Sequence, residues 1–173
     1  MNYKERLRQW NSTEKYHKEL KFLKSLMGNG EKLDIGCGTG YAASILYADG
    51  FDKHDFVEYD FEERGNYFKV NGLLDEDYED IYFMHSIAHI ENVSTLLQEL
   101  KNYYRGAKLT VITPNASWLK IVGDTKSDPT VIKHYTQDEL KELFVSCGYE
   151  VTLLGQFGEE KNGVNERIFL QAK

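Results

Sequence analysis

A chain of 173 residues with 41% hydrophobic and 13% aromatic content has room for one domain with its own core, and too little for a second of ordinary size. Its two cysteines, Cys37 and Cys147, lie far apart in a chain read as lacking a signal peptide, which disfavours a disulfide-stapled secreted module. No apolar run approaches the roughly 20 residues that cross a bilayer, so a cytoplasmic domain is expected.

The formal charge of −7 counts against a partner held chiefly through phosphates, but it is unevenly spread. Residues 1–27 carry seven bases and three acids; between Asp49 and Asp80, twelve acids face only Lys53, Arg64 and Lys69. Each end is read first as a solvated face.

Tyr16, Leu20, Leu23 and Met27 recur at helical spacing after a candidate cap, Ser12, and before Gly28 and Gly30, which can end a helix. Glu31 to Ile35 is a short strand candidate that runs into the glycine-rich turn Gly36-Cys37-Gly38-Thr39-Gly40, and Tyr41 to Ala48 reads as the helix the turn opens. Phe56 to Tyr59, Tyr67 to Val70, Ile81 to His85 and Leu109 to Thr113 are further strand candidates. Between the last two, Val93, Leu97, Leu100 and Tyr104 form a helical stripe that stops at Gly106. Strands alternating with helices predict a parallel sheet covered on both faces. Pro114 to Tyr135 shows no clear period and reads as a long loop, of the kind that is more often functional than accidental. Thr136-Gln137-Asp138-Glu139 has the capping-box pattern, and Leu140, Leu143, Phe144 and Cys147 follow as an apolar face. Tyr149 to Leu154 and Val164 to Leu170 read as two strands joined by a loop containing Asn162-Gly163, which favours a closing antiparallel hairpin.

Glycines at 36, 38 and 40 after a strand allow a sharp turn and let a ligand approach the backbone. A tight structural turn would need no ligand. A Walker loop is excluded, because no Gly-Lys-Ser or Gly-Lys-Thr ends the turn. A dinucleotide loop shares the strand, glycines, helix and a later acid, here Asp60 with Glu58 two residues before it. Asp34 at the leading edge suits a cationic ligand better than a pyrophosphate.

Leu33 to Gly40 resembles the first motif of class I S-adenosylmethionine-dependent methyltransferases, and later segments match in order. Phe56 to Asp60 resembles the second strand with its ribose-binding acid, Asp80 to Ile90 the fourth strand and following turn, and Ala107 to Asn115 the fifth strand. His134 to Val151 is similar to the helix and sixth-strand entry of small-molecule methyltransferases of the ubiquinone-biosynthesis type. The resemblance covers residues 14–172. It implies an α/β, Rossmann-like, doubly wound and mostly parallel sheet with a C-terminal antiparallel hairpin and an added N-terminal helix. It also implies one domain: arm and helix 1–28, cofactor-binding half 29–113, substrate-side loop 114–135, and helix with hairpin 136–173.

On the same resemblance the cofactor is S-adenosylmethionine, leaving as S-adenosylhomocysteine. Asp34, Gly36, Cys37, Gly38 and Gly40 would hold its amino acid end, the carboxylate supplying charge opposite the cationic groups. Asp60, or else Glu58, would accept from both ribose hydroxyls. The adenine would lie near Tyr59, Phe61, Asn71, Gly72 and Leu73, with Asn71 standing where the family commonly has an acid. His85 and Ser86 complete the cofactor side. Only six residues, Phe61 to Asn66, follow Asp60 where the family has a full helix. The N-terminal helix or a second copy of the chain would then cover that sheet edge.

Methyl transfer mainly needs alignment and exclusion of water, with a base only where the acceptor must lose a proton. His85 and His89 lie at and after the end of the fourth strand, where ligands gather in such sheets, and an imidazole titrates near neutrality. His89 is the first candidate base and His134 the second, against the plainer reading of a histidine bonded to a backbone carbonyl. The acceptor would meet the arm from Tyr3 to His17, including Tyr16, and the loop from Asn115 to Tyr135, with Trp118 and Tyr135 as aromatic walls. No metal is expected, since the histidines and cysteines lack ligand spacing and the run Asp75 to Asp80 lacks the glycine of a calcium loop. A small-molecule O- or N-methyltransferase is thus the leading reading. A catalytically silent cofactor-binding module and a protein or nucleic-acid methyltransferase docking through the basic arm are the rivals.

Overall fold

Thr13, rather than Ser12, opens the first long helix: its hydroxyl accepts the Tyr16 N–H at 3.1 Å, satisfying one of the donors a helix start leaves open. The Ser12 hydroxyl instead donates back to Gln9 O. The computed structural model describes residues 3–51, 77–124, 128 and 130–173, which divide into two compact units, 1–82 and 83–173.

In the first unit the arm expected before residue 13 is itself helical, α1 (Tyr3–Asn11), and α2 (Glu14–Leu26) turns Tyr16, Glu19, Leu20 and Leu23 inward. The two helices are separated by only Ser12 and Thr13, so the short α1 escapes a search for one continuous period. The strand β1 (Lys32–Ile35) runs parallel to both β2 (Asp49–Phe51) and the start of β3 (Asp80–Met84). Asp34 stands in register with Gly50 on one side and Tyr82 on the other. Gly28 N–H donates to the Asp80 carboxylate and Gly30 N–H to Glu79, each at 2.7 Å, which fixes the chain entering β1. The helix after the turn, α3 (Tyr41–Leu46), is shorter than expected because Tyr47 takes a left-handed conformation, φ 53°, and sends the chain straight into β2. The strand candidates at 56–59 and 67–70 lie outside the described residues.

The second unit holds the 3₁₀ turn Ile87–His89, α4 (Val93–Tyr103), β4 (Lys108–Pro114), α5 (Ala116–Val122), α6 (Gln137–Ser146), β5 (Val151–Lys161) and β6 (Val164–Ala172). Here β6 pairs antiparallel with both β4 and β5. The α4 face buries Val93, Leu96, Leu97 and Leu100, and Tyr149 OH donates to Leu97 O at 2.8 Å, tying the entry to β5 onto that helix. The capping box on α6 is complete: Thr136 Oγ1 accepts the Glu139 N–H, and Glu139 accepts the Thr136 N–H.

Two expectations are corrected. Pro114 to Tyr135 is not a continuous loop, because Asn115 caps α5 by accepting the Ser117 N–H at 3.0 Å. That helix has seven residues, two turns at most, too few to show a period. The final strands are longer than predicted and meet at a two-residue turn, with Asn162 at φ 56° and Gly163 at φ 76°, the hand that matches the twist of a hairpin. Register shifts between Val151 and Leu153 and between Phe157 and Glu160 break the alternation that would have revealed the full length of β5. The parallel pairing of the first unit and the antiparallel ending of the second follow the expected α/β pattern.

Candidate active site

The glycine turn needs its glycines for conformational reasons: Gly36, Gly38 and Gly40 all lie at positive φ, at 73°, 57° and 73°. A Cβ at Gly38 would come 3.3 Å from Leu7 of α1, so the arm packs onto the turn. Asn11 reinforces this by donating from Nδ2 to Thr39 Oγ1 at 3.2 Å, and Tyr41 OH meets His17 Nε2 at 3.2 Å. The arm, expected to meet the acceptor, braces the glycine turn and α3.

Asp34 is 1% exposed and stands in register with Tyr82 on β3, close enough for its charge to act on the phenol. Burial pushes the Tyr82 phenol well up, and the Asp34 carboxylate pushes it further. Tyr16, reaching in from α2, is also driven up by burial and then by Asp34 and Glu19. Both phenols stay protonated, so Asp34 is a buried carboxylate flanked by two hydroxyl groups. Cys37 is buried in the same neighbourhood. A buried carboxylate beside backbone N–H groups uncovered by side chains suits an α-amino acid: the carboxylate can take the ammonium, and the N–H groups the carboxyl end. The methionine end of S-adenosylmethionine therefore fits the donor set of this turn. Tyr59, Asp60, Phe61, Asn71, Gly72 and Leu73 lie outside the described residues.

In the second unit His85 follows β3 with a left-handed backbone, φ 60°, and donates its N–H to Ile112 O at 2.8 Å. A non-glycine residue held there stores strain of the kind that gathers at functional sites. Ser86 is buried, and its carbonyl accepts the His89 N–H at 2.9 Å, closing the 3₁₀ turn. His89 Nδ1 lies 2.9 Å from Thr130 Oγ1, and that hydroxyl lies 2.7 Å from Asp128 Oδ1. Burial lowers the His89 pKa, Asp128 and the Thr130 backbone pull it back up, and His134 and His85 lower it. The His134 pKa is also lowered by burial, against the pull of Asp124 and Asp128. His89 is thus electrostatically coupled to both His134 and His85, and Asp128 acts on His89 and His134.

Of the expected acceptor walls, Trp118 and Tyr135 are both buried. Tyr135 bridges Asn115 through the backbone, and Lys133 lies over its ring at 5.0 Å. In this unit Thr113 Oγ1, Trp118 Nε1 and His134 Nδ1 are closed to solvent and have no hydrogen-bond partner among the described residues. Tyr82, Asp128 and Thr130 were not anticipated. A lone hydroxyl in the apolar strand Asp80-Ile-Tyr-Phe-Met84 was the available signal for Tyr82, and Asp128-Pro129-Thr130 has the pattern of a side-chain-capped turn. Among the described residues no group of His, Cys, Asp or Glu is arranged to hold a metal ion, and no helix is long and apolar enough to cross a membrane.

Solved structures share this fold at low sequence identity. The methyltransferase domain of a bacterial Hen1 is 18% identical with a TM-score of 0.67, covering 94% of this chain and 98% of its own. A Thermotoga maritima protein described as an S-adenosylmethionine-dependent methyltransferase, possible histamine N-methyltransferase, is 18% identical with a TM-score of 0.66, covering 91% and 87%. The chain also matches the Pnkp1/Rnl/Hen1 RNA repair complex at 16% identity and a TM-score of 0.66, over 92% of its own length but only 42% of that chain. None of the curated proteins matches the chain in sequence. The fold is therefore that of the class I S-adenosylmethionine-dependent methyltransferases. The chain belongs to the methyltransferase-domain family, whose model matches residues 4–154.

Proposed function

We propose that this methyltransferase moves the methyl group to an oxygen or nitrogen of a small-molecule acceptor that gives up a proton in the step. The observation that carries this is His89, an imidazole kept neutral near pH 7 by burial, backed by Thr130 and Asp128 beyond the end of β3. A base poised in this way is of use for a hydroxyl or ammonium acceptor and superfluous for one that is already a nucleophile. When bound, S-adenosylmethionine supplies an electrophilic methyl group on a sulfonium.

The chain's own residues divide the remaining work. Asp34 takes the ammonium of the amino acid end, Gly36 and Gly38 give backbone access, and Asp60 with its neighbours receives the nucleoside. Trp118 offers an indole N–H that has no partner among the described residues. An unpaired buried donor costs about 1–3 kcal/mol, which an acceptor oxygen would offset. Tyr135 walls the same side. Tyr16, packed beside Asp34, serves the cofactor turn rather than the acceptor.

The test is incubation with methyl-labelled cofactor and fractionated metabolite extract, followed by identification of the labelled product. Label appearing only in RNA or protein fractions would overturn the small-molecule reading. The likeness to Hen1 domains and the basic residues of α1 and α2 favour RNA as that alternative, and binding that weakens steeply with salt would be its signature.

A further inference from the structure

The His89 side chain is wired to the protein in a way that decides which nitrogen carries its hydrogen. The Thr130 hydroxyl holds a single proton and stands between two neighbours, His89 Nδ1 at 2.9 Å and Asp128 Oδ1 at 2.7 Å. The Thr130 backbone N–H donates to that same carboxylate oxygen at 2.9 Å. An ionised carboxylate only accepts, so the hydroxyl proton goes to Asp128, and Oγ1 faces the imidazole with a lone pair. Sending the proton to Nδ1 instead would set lone pairs of two oxygens against each other at 2.7 Å. The arrangement is also held from the backbone, because Ile132 and Lys133 both donate their N–H groups to Ala88 O, at 2.9 and 3.1 Å, next to His89 itself.

We propose that Thr130 and Asp128 are positioning residues that hold His89 in the Nδ1–H tautomer and leave Nε2 as the atom that takes the acceptor's proton. This rests on the reading of His89 as the base. In the step, the acceptor's O–H or N–H proton moves to Nε2 and the heteroatom forms its bond to the methyl carbon. The carbon–sulfur bond breaks with its electron pair going to sulfur. The imidazolium then donates from Nδ1 to Thr130, whose hydroxyl remains bonded to the Asp128 carboxylate, until solvent removes the Nε2 proton. Asp128 thus acts through Thr130 to favour the charged product of the proton transfer, while His85 and His134 oppose it.

Neither half of the assignment was readable locally: 41 residues separate Thr130 from His89. The test uses the full chain labelled with ¹⁵N-histidine and long-range ¹H–¹⁵N correlation at pH 7.5, and needs neither cofactor nor acceptor. Wild type should show His89 protonated at Nδ1, and Thr130→Ser should keep that pattern. Thr130→Val should lose it. Asp128→Ala is the sharper variant: the hydroxyl is retained but freed to donate to Nδ1, so the imidazole should shift to predominantly Nε2–H. A structural role alone would not flip the tautomer while the fold is kept. Wild-type His89 protonated at Nε2, or an Nδ1–H tautomer that survives Asp128→Ala, would overturn the proposal. Wild-type enzyme that methylates no acceptor in any fraction would remove the base role and leave the tautomer result standing, so the two readings fail separately.

Discussion

Asp34 and Tyr82 stand opposite each other on neighbouring parallel strands, both closed to solvent, in the layer directly before the glycine turn. Residues paired in register on parallel strands present their side chains to the same face, so the phenol lies where it can support the carboxylate. A carboxylate this deep is costly unless polar groups compensate it. Tyr82 is placed to supply one such group, and on the proposed function the cofactor's ammonium is another. Tyr82→Phe should therefore weaken S-adenosylmethionine binding several-fold, in line with the roughly 1 kcal/mol net value of one hydrogen bond. Asp34→Asn should weaken it by more than tenfold. Because both act through one carboxylate, the double variant should bind no worse than Asp34→Asn alone; additive losses in calorimetric titration would show that Tyr82 acts elsewhere.

How much of this was legible depends on whether the determinant is local. The capping box at Thr136 to Glu139 and the Asn162-Gly163 turn were readable because each is built by residues within four positions of one another. The glycine turn was readable for the same reason, since a strand, three glycines and Asp34 all fall within a dozen residues. Helices α1 and α5 were missed because two turns do not make a period, and β5 was read only as far as Leu154 because its register shifts disguise the alternation beyond. Tyr82 and Thr130 were missed as site residues because their partners, Asp34 and His89, come from distant stretches of chain, and only the sheet register and the hydrogen bonds of the 130–133 segment bring them together.

Thr136 closes α6 by a reciprocal pair of hydrogen bonds, and Glu139 also reaches Lys133 at 3.2 Å. Thr136→Ala should cost about 1 kcal/mol in urea unfolding. The Glu139 carboxyl is lowered from its ordinary 4.5, first by the Thr136 backbone N–H and then by Lys133 and the Thr136 hydroxyl. A carboxyl with a lowered folded-state pKa adds stability that is present above its ordinary value and lost as the pH falls through the folded one. Wild type should therefore lose stability below pH 4.5 more steeply than Glu139→Gln, and parallel curves for the two proteins would contradict the assignment.

Trp118 combines a buried ring with an indole N–H that has no partner among the described residues. Trp118→Phe keeps an aromatic in the core and removes the donor. Removing an unsatisfied donor offsets part of the lost packing, so stability should change little, by about 1 kcal/mol. With the acceptor identified from the labelled product, KM should rise several-fold at nearly constant kcat, since the N–H contributes to binding and not to the displacement. An unchanged KM would return Trp118 to a purely packing role.

His89 and His134 both carry pKa values lowered by burial, so both are neutral in the folded protein at a pH where the unfolded chain begins to protonate them. Between their folded values and the ordinary 6.5 the unfolded state binds more protons, and stability must rise with pH across that window. Full stability is reached above about 6.5 and declines on acidification, well before the carboxylates titrate. The urea midpoint of the wild-type chain should therefore fall between pH 7.5 and 5.5. His89→Gln, which keeps a polar group of similar reach but cannot be protonated, should show a shallower fall, and adding His134→Gln should flatten it further. The rival expectation is a histidine stabilised in its charged form by Asp128, for which stability would rise on acidification through the same window. Denaturant titrations of the three proteins at five pH values separate the two, and a decline of equal slope in all three would mean that neither imidazole is buried as the structure has it.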